Sequence, residues 1–86
     1  MAAALATEYH TEWHLDEVAR WGTTARIYPS GHVVEIAVFG EGQFIADTFA
    51  TPAAHEAGAW LPAAPLAGRV FETAEAAAAA ADIMTD

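Results

Sequence analysis

The sequence predicts an α+β fold: an antiparallel meander of three to four strands packed by a C-terminal alanine-rich helix and one or two short helices. Three observations predict it. Residues 23–49 hold three β-branched or aromatic segments separated by Pro29-Ser30-Gly31 and Gly40-Glu41-Gly42, which are tight reversals. Residues 73–85 open on a threonine and continue through an alanine run, the residue with the best intrinsic helix propensity. The chain has 86 residues, so residues 1–86 read as one domain holding both units.

The elements follow in order. Met1 to Ala6 is apolar but too short for a signal-peptide core and has no basic flank, so it reads as a frayed arm. From Thr7 to Leu15, Glu8, His10, Glu12 and His14 alternate with Tyr9, Thr11, Trp13 and Leu15. That period of two predicts a half-buried strand. Leu5, Tyr9 and Trp13, four apart, keep a helix open as the alternative. Asp16 to Trp21 carries an acid in its opening turn, Arg20 four residues after Asp16, and Gly22 as a stop, which predicts a short helix.

Thr23 to Tyr28, His32 to Phe39 and Gln43 to Phe49 are the strands of the meander. Val34, Ile36 and Val38 make an apolar face on the central strand, while Val33, Glu35, Ala37 and Phe39 make a mixed one. A sheet wet on one side alternates more sharply, so the second face is expected to be partly covered. Thr51-Pro52 is a cap followed by proline at the first helical position, predicting a short helix towards Trp60 that Gly58 weakens. Residues 61–68 are a proline-punctuated connector, and Arg69-Val70-Phe71 adds a brief strand. On the last helix the pattern puts Glu72, Glu75, Asp82 and Asp86 on a solvated stripe. It puts Ala76, Ala77, Ala80, Ile83 and Met84 on the packing side, where small side chains allow a close approach to the sheet.

Charge and missing chemistry narrow the function. Twelve acids stand against three arginines, with no lysine, for a net charge of −9. Nucleic acid and anionic membranes are poor direct partners for such a surface, whereas a basic protein or nucleoprotein complex is a good one. Cysteine is absent, which removes disulfides and thiolate metal sites. A chain of this size buries only roughly 60–65% of its unfolded surface, so homodimerisation is a natural second source of burial. The alanine bias and the lack of lysine, asparagine and cysteine mark a GC-rich bacterial or phage coding sequence, and the expected location is the cytoplasm of a bacterial host cell.

Nucleophiles are scarce: Ser30, in a turn, is the single serine, and there is no nucleophile elbow, phosphate-binding glycine loop or dinucleotide fingerprint. An enzyme is not expected, and no catalytic residue or cofactor is assigned. His10 and His14 have a helical zinc spacing with Glu17 nearby. On the predicted strand, however, they would stand about 13 Å apart at ~3.3 Å per residue, which argues against a metal. No metal ligand is therefore assigned. The partner-binding candidates are the acids and aromatics of the first segment, Glu8, Tyr9, Glu12, Trp13, Asp16, Glu17 and Trp21, joined by Glu35 and Asp47 on the sheet. Trp and Tyr among acids form typical interface anchors.

The short length, the Thr23 to Phe49 meander, the acidic balance and the Phe71-Glu72-Thr73-Ala74-Glu75-Ala76 lead-in to the terminal helix resemble small acidic inhibitor proteins of phages and mobile elements, anti-CRISPR proteins among them. The resemblance is one of general character. It implies a non-enzymatic inhibitor that occludes a basic nucleic-acid-binding surface of a bacterial defence nuclease complex. An immunity protein or antitoxin against a basic toxin, and a small structural or assembly subunit, are the alternatives. A helix, three strands and a helix would also match double-stranded-RNA-binding modules, but the missing lysines contradict that function.

Overall fold

A computed structural model describes residues 9–85. Glu8, the predicted frayed arm at residues 1–6 and Asp86 lie outside them. The elements are α1 (Asp16–Trp21), β1 (Thr23–Ile27), β2 (Val33–Gly40), β3 (Gln43–Phe49), α2 (Pro52–Glu56) and α3 (Ala74–Met84). The strands form one antiparallel sheet in the order β1-β2-β3, so the α+β meander holds.

Local chemistry explains most boundaries. Gly22 takes a left-handed conformation (φ 85°) that a side chain would disfavour, and its N–H closes on the Val18 carbonyl to end α1. The β1–β2 reversal at residues 28–32 is closed by Tyr28 N–H to His32 O and Gly31 N–H to Tyr28 O, both 2.8 Å. Thr51 and Thr73 cap α2 and α3, each hydroxyl accepting from the N–H three residues on. The predicted helix towards Trp60 ends instead at Glu56. Gly58 is left-handed, and Trp60 leaves the helix to bridge Phe49. The predicted brief strand at residues 69–71 is one antiparallel bridge between Phe71 and Phe44.

The first segment differs from its prediction. Among residues 9–15 there is neither a strand nor a helix, only one parallel bridge from His10 to Arg26, held by Ile27 N–H to His10 O at 2.8 Å. The aromatic residues of the alternation do not share one sheet face. Tyr9 reaches α2 and Trp13 reaches α3.

The core lies between one sheet face and α3. Val34, Ile36 and Ala46 meet Leu66 of the connector, Val18 of α1, Tyr28, and Ala74, Ala77, Ala78 and Ala81 of α3. This rotates α3 relative to the sequence reading. Ala76 and Ile83 point outward, Ile83 being 82% exposed, and Ala80 is only partly buried. Only side chains as small as alanine fit the close helix–sheet contact, so the bulky residues of α3 are excluded from it.

Asp82 fixes that rotation. It is exposed, as the charge stripe predicts, and its Oδ1 also accepts from Tyr28 OH (2.6 Å), Arg26 Nη1 (2.9 Å) and Trp13 Nε1 (3.0 Å). The Arg26 guanidinium also lies 4.3 Å over the Tyr28 ring. One carboxylate thereby ties the N-terminal segment and β1 to α3.

Candidate functional site

Three groups of side chains remain once the core is assigned. The first lies on the other sheet face. Strand alternation and the pairing of Glu35 with Asp47 put two carboxylates directly opposite one another on β2 and β3. Burial, with the Glu35 charge second, pushes the Asp47 carboxyl above its ordinary value. Glu35 is held on both oxygens, accepting from Thr23 Oγ1 at 2.7 Å and from His55 Nε2 at 2.7 Å. On its other side, His55 Nδ1 lies 2.9 Å from the Tyr9 hydroxyl oxygen. His55 also packs edge-on to both Tyr9 and Phe49. Tyr9 and α2 therefore cover part of the second face, as its mixed composition predicts.

The order carboxylate, imidazole, hydroxyl joins three parts of the chain: Glu35 on β2, His55 on α2 and Tyr9 in the first segment. Burial, then the Glu56 and Glu35 charges, push the Tyr9 hydroxyl up, and the same oxygen lies 3.3 Å from the Pro52 carbonyl. The cluster fastens the first segment to α2.

Tyr9 and Tyr28 are the two tyrosines of the chain. Burial, with Asp82 second, raises Tyr28 strongly as well. Groups whose folded pKa is raised contribute stability that is complete below their unfolded value near about 10 and is lost as pH rises towards the folded value. Tyr28 is thus expected to contribute no tyrosinate absorbance at about pH 10 and to ionise only as far-ultraviolet circular dichroism is lost at higher pH, while the Tyr9 midpoint lies above about 10. Ionisation of either tyrosine centred near 10 with the fold intact would contradict the two hydroxyl assignments.

The second group is His10, His14 and Glu17. The rings of His10 and His14 stack at 3.7 Å with an 8° interplanar angle, where the strand reading kept them far apart. His10 Nε2 is 2.9 Å from Glu17 Oε2, and Thr24 Oγ1 donates to Glu17 Oε1 at 2.7 Å. The Thr24 hydrogen bond first, and His10 second, hold the Glu17 carboxyl below its ordinary value.

The third group is an open groove of about 500 Å³ between α1 and the start of α3. Leu15 just before α1, Val18 and Ala19 from α1, and Val38 and Phe44 from the sheet make it apolar, and Glu72 and Glu75 border it. It exists because the alanine-lined contact of α3 stops short of the β2–β3 hairpin. Val38, expected inside with Val34 and Ile36, is 47% exposed there. The pairing steps from Val38–Phe44 to Gly40–Gln43, so Phe39 is a bulge residue, and it is 66% exposed. Val38 N–H donates to Gly22 O at 3.0 Å, which brings the end of α1 alongside. Trp21, the last residue of α1, is 65% exposed with the Arg20 guanidinium 5.3 Å from its ring.

The predicted interface is therefore divided. Tyr9 and Glu35 belong to the His55 cluster, with Asp47 opposite Glu35. Trp13 and Glu17 are engaged by Asp82, His10 and Thr24. Glu12, Asp16 and Trp21 are exposed. Sequence reasoning missed Val38, Phe39, Phe44, Glu72 and Glu75. The one local hint was the aromatic Phe39 beside the Gly40-Glu41-Gly42 turn. No protein-family model, curated protein or solved structure matches this chain.

Proposed function

We propose that this protein is a non-enzymatic binder whose groove end docks on a basic surface of a protein or nucleoprotein partner and occludes it. The observation that carries this reading is an open apolar groove with Val38, 47% exposed, in its wall and Glu72 and Glu75 at its border, on a molecule that also exposes the aromatic rings of Trp21 and Phe39. Small folded proteins seldom leave aromatic and aliphatic side chains this open together without a use for them. Aromatic anchors supply affinity and the acids select a cationic counterpart. Glu41, exposed in the adjoining hairpin, adds to the same field. Two copies meeting through this end would bring like charges together, which disfavours self-association there.

A basic nucleic-acid groove on a defence nuclease is the partner class that the charge fits best, and the inhibitor reading follows from it. The reading is tested by affinity capture from a bacterial lysate at about 50 and 500 mM salt. The expected result is a basic protein retained at low salt, released at high salt and lost with Trp21→Ala/Phe39→Ala, while Ile83→Ala retains it. Capture indifferent to salt and to the double variant would overturn the proposal. A homodimer abolished by the same double variant would assign this end to self-association instead.

A further inference from the structure

The ligand atoms of His10, His14 and Glu17 all lie within 4.8 Å of one another. We propose that these three residues form a site for a divalent transition ion of the zinc class, with a fourth position left to water or to a side chain of another molecule. Two imidazoles and one carboxylate favour zinc, cobalt, nickel or copper over magnesium and calcium, which take oxygen ligands.

The backbone sets up the arrangement from two directions. His10 is fixed at the sheet by the Ile27 N–H, while Glu17 N–H donates to His14 O at 3.0 Å and folds the start of α1 back on itself. A tetrahedral ion with bonds of about 2.0–2.1 Å needs donors roughly 3.3 Å apart. The His10–Glu17 edge, at 2.9 Å, is already close to that spacing. Parallel rings direct their lone pairs side by side, so His14 must turn out of the stack to close the site. It is exposed and sits on a non-helical, non-strand residue, where that rotation meets little resistance.

Two further features suit a cation. The Thr24 hydroxyl holds the second oxygen of Glu17, the kind of outer contact that orients a metal-binding carboxylate. Nearby positive charge is turned elsewhere: Arg26 pairs with Asp82, and Arg20 lies over Trp21. The chain's net charge of −9 draws cations in general, and the paired imidazoles select among them. This site is separate from the groove, so its failure would leave the docking proposal standing.

The test uses the untagged, chelator-treated protein titrated with Zn²⁺ by calorimetry near pH 7.5, and with Co²⁺ followed by its visible absorption. One ion per chain is expected, with a rise in melting temperature. His14→Ala removes an exposed ligand, so its metal-free melting temperature should stay near that of the parent. Its affinity for Zn²⁺ should fall by about tenfold or more. His32→Ala, outside the cluster, should bind as the parent does. Absence of saturable binding up to about 1 mM Zn²⁺, or equal affinity in His14→Ala and the parent, would overturn the proposal.

Discussion

Asp82→Ala is expected to destabilise the fold by about 2 kcal/mol, lowering the melting temperature by roughly 8–16 °C for a domain of this size. The substitution removes one oxygen that serves three donors, from Trp13, Arg26 and Tyr28. Hydrogen bonds to an ionised acceptor are each stronger than neutral ones. Their sum is reduced because the Asp82 side chain is 46% exposed and water can replace part of what is lost. Tyr28 cannot recover so easily, being buried. Asp82→Asn, which keeps an acceptor but not the charge, should fall between the parent and Asp82→Ala. Thermal unfolding of the three proteins measures this order directly. A change below about 0.5 kcal/mol for Asp82→Ala would show that the three contacts are solvated equivalents of water.

Ala77→Leu is expected to cost about 2 kcal/mol for the opposite reason, too much side chain where there is no room. Ala77 is completely buried between α3 and the sheet, in the cluster that holds Val34, Ile36 and Ala46. Extra carbons there must push the helix away from β2 and β3 or force strained rotamers. Helix propensity is not the cause, because leucine is nearly as good a helix former as alanine. Ala79→Leu supplies the control: position 79 is exposed on the same helix, and its change should stay within about 0.5 kcal/mol. Chemical denaturation of both variants separates packing from propensity. Equal stabilities would mean that the helix does not sit close to the sheet.

These two residues also mark how far the sequence could be read. The alanine run announced a tightly packed terminal helix, but not which way it faces. A stripe drawn from charge spacing leaves Asp82 exposed, as it is, but turns Ile83 and Met84 inward, where both are exposed. The facing was decided by partners 54, 56 and 69 residues away in sequence, Tyr28, Arg26 and Trp13. No local pattern encodes such partners.

The first segment shows the same limit from the other side. Its period-two alternation is real, yet successive residues alternate because they serve different elements, with Tyr9 on α2, His10 against Glu17 and Trp13 on α3. A strand is the simplest reading of that pattern, and residues 9–15 do not form one. Extended backbone would hold His10 and His14 about 13 Å apart. A chain that makes one sheet bridge and then turns into α1 stacks them instead.

The sequence by itself determined the meander, the reversals between its strands, the glycine stop of α1, the threonine caps of α2 and α3, and the acidic balance. Each of these rests on chemistry within a few neighbouring residues: backbone freedom at glycine, fixed φ at proline, a hydroxyl reaching an N–H three residues on. Only the tertiary structure decided which face of α3 is buried, which acids are engaged, and where the apolar side chains stay open. Those outcomes depend on the geometry of helix on sheet, where one alanine stripe fits and the contact ends before Val38 and Phe44, and on hydrogen bonds between residues far apart in the chain.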